Sequence, residues 1–162
     1  AQFCRNTGIQ LLSLGCSGNC KMQPYFADAL AQATDIDAFI FDSFSNPTID
    51  EIKERLFPFI ERLQAAHPGK PLIFQHTIYR ERRNFDLATA KSESDRIKAV
   101  DVLMAEAVKK YKDVYYVTTT NATSPKHDTS VDGTHPGDYG YSLWAESIRK
   151  PILKILRKYG IR

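Results

Sequence analysis

Asp132 and His135 stand three positions apart in Asp132-Gly133-Thr134-His135-Pro136, a turn-forming stretch directly before a helical pattern. That spacing lets the carboxylate reach the imidazole of its own loop. A carboxylate on one ring nitrogen fixes the tautomer and stabilises the imidazolium, leaving the other nitrogen to take a proton from a hydroxyl. The same residue types at the same spacing also build turns and caps, so the pair alone defines no activity. A second candidate is Gly15-Cys16-Ser17-Gly18-Asn19, where a Gly-x-Ser-x turn between a strand-like run and a helix has the form of a nucleophile elbow. Asn46 offers a side-chain amide donor, and His76 and Arg80 are candidate substrate contacts. For each there is a structural alternative: Ser17 and Asn46 as helix caps, Gly18 as a left-handed turn residue, His76 as a strand-end residue bonded to backbone, and Arg80, with Arg82 and Arg83, as part of a solvated loop.

The elements that must position these residues are legible as alternating runs. Ile9 to Leu14, Ala38 to Asp42, Pro71 to His76 and Val114 to Thr118 are short apolar stretches rich in β-branched and aromatic residues, the pattern of buried strands. Helical patterns cover Met22 to Ala33, Ile49 to Ala66, Ser92 to Tyr111 and about Tyr139 to Tyr159, the last with a kink expected at Pro151. Strands alternating with helices imply right-handed crossovers and a parallel sheet covered on both faces, a three-layer α/β/α sandwich. In such sheets ligands bind beyond the carboxyl ends of the strands. The glycine turn, Ser43 to Pro47, Thr77 to Arg83 and the Asp132 to Pro136 stretch each fall after one of the four runs.

With 162 residues, 43% of them hydrophobic, and a formal net charge of +3, the chain fits one globular domain, and its charges form no basic stripe of the kind nucleic acid requires. No apolar run is long enough to span a membrane, and the start of the chain lacks a charged-then-apolar leader pattern. A soluble protein is expected, with a secreted or periplasmic compartment left open. Cys4, Cys16 and Cys20 are odd in number and lack a nearby histidine to complete a zinc quartet, so no metal site is implied. Packed thiols, or a disulfide from Cys20 to Cys16 or Cys4, both remain open. His67 and His127 are expected as surface loop residues, and Trp144 as a packing residue of the last helix.

The stretch Asp132 to Tyr141, DGTHPGDYGY, before an amphipathic C-terminal helix resembles the last block, D-x-x-H-P, of the SGNH (GDSL-type) hydrolases. The resemblance implies the family's flavodoxin-like sandwich and a Ser-Asp-His triad in which Asp132 orients and His135 acts as general base and then general acid. Leu14 to Met22 resembles the second block of one branch of that family, whose glycine amide serves the oxyanion hole, and Phe41 to Pro47 resembles its third block, whose Asn is another oxyanion donor. These likenesses imply oxyanion roles for Gly18 and Asn46. The two stand 28 positions apart, room for one helix and one strand, as between a second and a third block.

On that assignment the nucleophile serine of the first block is expected before Ala1, with Ser17 as the fallback. A single domain lacking its first strand would leave strand edges unpaired, so a complementing N-terminal segment or an oligomeric partner is expected to cover them. The resemblance implies an ester hydrolase, an acyl or acetyl esterase acting on a small-molecule ester or acylated sugar, with no cofactor, no metal, no nucleic acid and no membrane partner. A reading from a different class is a non-catalytic binding or interaction module that keeps the scaffold without the nucleophile.

Overall fold

The structure is a computed structural model describing residues 1–118 and 128–162. In chain order its elements are α1 (Gln2–Thr7), α2 (Pro24–Ala31), β1 (Phe39–Phe41), α3 (Ile49–Ala66), β2 (Leu72–Gln75), a 3₁₀ turn (Glu81–Asn84), α4 (Leu87–Lys110), β3 (Val114–Val117) and α5 (Asp138–Arg157). The strands form a parallel sheet in the order β1-β2-β3, with Phe39 opposite Leu72 and Leu72 opposite Val114.

Side chains alternate across the sheet and divide the core in two. Phe39, Phe41, Leu72, Phe74 and Val114 point to one face and pack with α2, α3 and α4 through Leu30, Ile52, Leu56, Leu63, Val100 and Met104. Ile73 and Val117 point to the other and meet Phe3 of α1 and Ala145, Ile148, Ile152 and Leu156 of α5. Every residue of β2 is buried, as a central parallel strand with helices on both sides must be. The expected three-layer α/β/α sandwich with a parallel sheet is the architecture observed. Phe74 sits at its centre, with ring contacts to Phe41, Phe44 and Phe59.

Helix ends follow local chemistry. Thr48 caps α3 by accepting from the Glu51 N–H at 3.2 Å, while the Glu51 carboxylate accepts from the Thr48 N–H at 2.8 Å, a reciprocal box that starts the helix where the sequence pattern does. Asp86 caps α4 by accepting from the N–H groups of Ala88 and Thr89, which starts that helix at Leu87, ahead of the expected Ser92. Helix α5 runs unbroken through Pro151.

Three features differ from the sequence expectations. Ile9 to Leu14 is not a strand: among the described residues β1 pairs only with β2, so that run has no ladder to join, and Leu11, Leu12 and Leu14 stand 47%, 61% and 45% exposed. Helix α1, closed by left-handed Gly8, was not evident because its six residues carry only one buried apolar position, Phe3. His67 is half-buried rather than a surface loop residue, with Nε2 2.9 Å from the Leu30 carbonyl and its ring against Phe39. Cys4, Cys16 and Cys20 are free thiols, Trp144 packs against the α5 core, and His127 lies outside the described residues. No helix among the described residues is long and apolar enough to cross a membrane.

Replacing Phe74 by Ala removes the ring that joins β1, β2 and α3. The expected cost is about 3–5 kcal/mol, read as a lower midpoint of urea unfolding.

Candidate active site

All three strands run the same way, so the segments after β1, β2 and β3 emerge at one edge of the sheet. The segment after β3 carries the Asp–His pair. Asp132 Oδ2 lies 2.6 Å from His135 Nδ1, and Asp132 Oδ1 accepts from the backbone N–H groups of Thr134 at 2.8 Å and His135 at 2.7 Å. Ser130 Oγ lies 3.2 Å from Asp132 Oδ1 and 2.8 Å from the His135 carbonyl, giving its one proton to either. An ionised carboxylate only accepts, so in the neutral ring Nδ1 carries the proton and Nε2 the lone pair. The His135 side chain is 77% exposed, which leaves Nε2 open to a reacting group.

These bonds hold the Asp132 carboxyl well below the usual carboxylate range: the His135 backbone N–H contributes most, then the His135 ring, then the Thr134 N–H. The carboxylate therefore remains charged wherever the imidazole is neutral, the state a general base needs.

Neighbouring segments fix the loop from below. Ser130 and Pro136 form an antiparallel bridge, and the Gly137 N–H donates to the Thr129 carbonyl at 2.8 Å. Gly133 has φ +75°, and a Cβ there would stand 3.1 Å from both Cβ and backbone N of Arg82. Gly140, in the first turn of α5, lets the helix approach so closely that a Cβ would stand 2.5 Å from the Thr129 carbonyl oxygen. Buried Glu81 accepts from both the backbone N–H and the hydroxyl of buried Thr129, and the Arg82 N–H donates to the Gly133 carbonyl at 2.8 Å.

Asn46 lies in the segment after β1, exposed between buried Phe44 and buried Pro47. Arg80, expected near substrate, is bonded within the protein: its guanidinium donates to the Ser45 carbonyl at 2.9 Å and to the buried Glu93 carboxylate at 3.0 Å. Arg96 makes the same two contacts, at 2.9 Å and 3.0 Å. His76 directly follows β2, with Nδ1 2.7 Å from the Thr77 carbonyl and Nε2 4.0 Å from Asp101 of α4. Gly18 has φ +74° in a turn closed by the Asn19 N–H on the Cys16 carbonyl. Gln23 Nε2 ties that turn to α2 through the Asn19 carbonyl. Ser17 and Gly18 are exposed, and among the described residues no hydrogen bond joins their turn to Asn46 or His135.

Glu81, Glu93, Arg96 and Thr129 went unnoticed in the sequence. Glu81 is embedded in an arginine-rich run that looks solvated, and Glu93 with Arg96 has the i,i+3 spacing of an ordinary surface pair.

The protein is thus an α/β/α sandwich with an Asp–His pair at the carboxyl edge of a parallel sheet, directly before the last helix. The chain belongs to the GDSL-like lipase/acylhydrolase family, whose family model matches residues 1–154. Among solved structures it is similar to a Bacteroides ovatus protein assigned as a GDSL-like lipase, with 33% identity, a TM-score of 0.80 and 86% of this chain covered. The chain spans 42% of the length of that relative. It also shares its fold with a carbohydrate esterase family 3 protein of Talaromyces cellulolyticus, at 14% identity and a TM-score of 0.65, covering 97% of this chain and 88% of the other. No curated protein matches the chain.

The Asp132 carboxyl is expected to stay ionised at acidities where a free aspartate, with a pKa of about 3.9, is half protonated. Carboxyl ¹³C shifts followed from pH 7 down to about pH 3 check this, with the Asp132 resonance staying flat. A carboxyl whose folded pKa lies below its unfolded one adds stability that is fully present above the unfolded value and lost as the pH falls through the folded one. Acid below that range should therefore loosen the 130–137 loop.

Proposed function

We propose that the protein hydrolyses esters by acyl transfer, with His135 Nε2 as general base and then general acid and Asp132 as its orienter. The observation that carries this reading is the 2.6 Å contact between the Asp132 carboxylate and His135 Nδ1, on an imidazole whose other nitrogen is open to solvent. In the reaction a serine oxygen attacks the ester carbonyl while His135 takes its proton. The developing oxyanion is held by the N–H of the nucleophile serine, the Gly18 backbone N–H and the Asn46 side-chain amide, and the protonated imidazole then returns its proton to the departing alcohol. Water repeats the sequence on the acyl-enzyme.

The nucleophile in this proposal lies before Ala1. Ser17 is the fallback, disfavoured because the bonds of its turn are local ones, among residues 14–23. Among the described residues β1 pairs only with β2, and Leu11, Leu12 and Leu14 are exposed, both of which are consistent with an additional strand; the Bacteroides ovatus relative is more than twice as long. The substrate class, acyl or acetyl esters and among them esters of carbohydrates, is drawn from the family and from the fold shared with the Talaromyces cellulolyticus esterase.

Hydrolysis of a p-nitrophenyl acyl ester and labelling by a fluorophosphonate probe test the reading on the full-length protein. Asp132→Asn is expected to lower kcat on the order of 10⁴-fold, His135→Ala at least as much, and Asn46→Ala about 10²- to 10³-fold. Ser17→Ala should retain both labelling and turnover. Loss of labelling in Ser17→Ala would move the nucleophile into this chain, and a folded full-length protein with neither label nor turnover would make it a binding module.

A further inference from the structure

The segment after β2 touches both halves of the site through consecutive residues. Arg80 reaches the segment after β1, where it and Arg96 both donate to the Ser45 carbonyl. A peptide unit is planar, so fixing the Ser45 carbonyl also fixes the plane that ends at the Cα of Asn46. Glu81, the next residue, reaches the segment after β3 and takes both donors of Thr129. Arg82 completes the contact through its N–H on the Gly133 carbonyl, between Asp132 and His135.

The chemistry of these contacts is demanding. Glu81 and Glu93 are both buried, and a buried carboxylate is tolerated only when it is bonded. Glu93 is shared by two guanidiniums, whose planar forks can hold a carboxylate and a carbonyl together in one geometry. Four chain segments, carrying Ser45, Arg80 to Arg82, Glu93 with Arg96, and Thr129 with Gly133, are joined by bonds that leave little freedom between the Asn46 and His135 loops.

We propose that Arg80, Glu81 and Arg82 form a bracket that sets the oxyanion loop of Asn46 at a fixed distance from the acid–base loop of His135. Arg80 and Glu81 are positioning residues for the ester hydrolysis proposed above, on which this inference rests. Arg80 acts through Asn46, and Glu81 acts through His135. Displacements of about an ångström at reacting groups cost on the order of 100-fold in rate. Because the bracket holds groups that act in the transition state, its loss falls on kcat while KM changes little.

The test is a set of double-mutant cycles in the full-length protein, assayed with a p-nitrophenyl acyl ester. Arg80→Met is expected to lower kcat about 10- to 100-fold with KM within about twofold. In an Asn46→Ala background the same change should cost almost nothing more, because the group it positions is gone. Glu81→Ala should lower kcat comparably, keep its cost in the Asn46→Ala background, and lose it in the His135→Ala background. Glu81→Gln, whose amide oxygen still accepts from Thr129, should restore most of the rate. Near-UV circular dichroism verifies folding, and if Arg80→Met or Glu81→Ala fails to fold, Arg80→Lys and Thr129→Val carry the same cycles. Costs of Arg80 and Asn46 substitutions that multiply independently, or that appear in KM alone, would overturn the bracket. Unchanged turnover in Asn46→Ala and His135→Ala would instead overturn the functional reading beneath it.

Discussion

Everything at the candidate site hangs from one constraint: the backbone of β2 must be hydrogen-bonded on both edges while both of its faces are sealed from water. Parallel pairing with β1 and β3 meets the first demand. Helices on either side meet the second, with α2, α3 and α4 on one face and α1 and α5 on the other. Parallel pairing also sends all three strand ends to the same edge, and so segments that are 30 to 90 residues apart in sequence converge there without any local signal drawing them together.

Beyond that edge regular structure stops, and order is maintained by side chains bonded to backbone. Asp132 spends one oxygen on two backbone N–H groups and the other on His135, so the bonds that shape the turn also aim the imidazole. The same economy recurs at Ser45, whose carbonyl takes two guanidiniums, and at Thr129, which gives both of its donors to one carboxylate. A loop held in this way can be irregular and still have a defined shape, which suits residues that must meet a substrate from unlike directions.

Much of the scaffold was legible because its signals are local. The apolar runs at 39–41, 72–75 and 114–117 show their burial directly, and Thr48 with Glu51 announces the first turn of α3. The contact of Asp132 with His135 was legible for the same reason, since three positions separate them. Ile9 to Leu14 reads as a strand because composition reports what a segment would do beside a neighbour, and a ladder needs that neighbour. The partners of Arg80, Glu81 and Glu93 were illegible for the opposite reason. The charge of these three residues suggests solvent, and only the tertiary fold reveals partners 35 and 48 residues away.

Gly133 shows how far such constraints reach into the wording of a motif. Its left-handed backbone and the 3.1 Å approach of Arg82 would put a methyl group under backbone strain and force the neighbour to give by a few tenths of an ångström, although the residue has no functional group to offer a substrate. The letter between the aspartate and the threonine is thus favoured by the shape of a neighbouring segment as well as by its own backbone. Two stretches some fifty residues apart share one spelling rule, and a substitution in either edits what the other can tolerate.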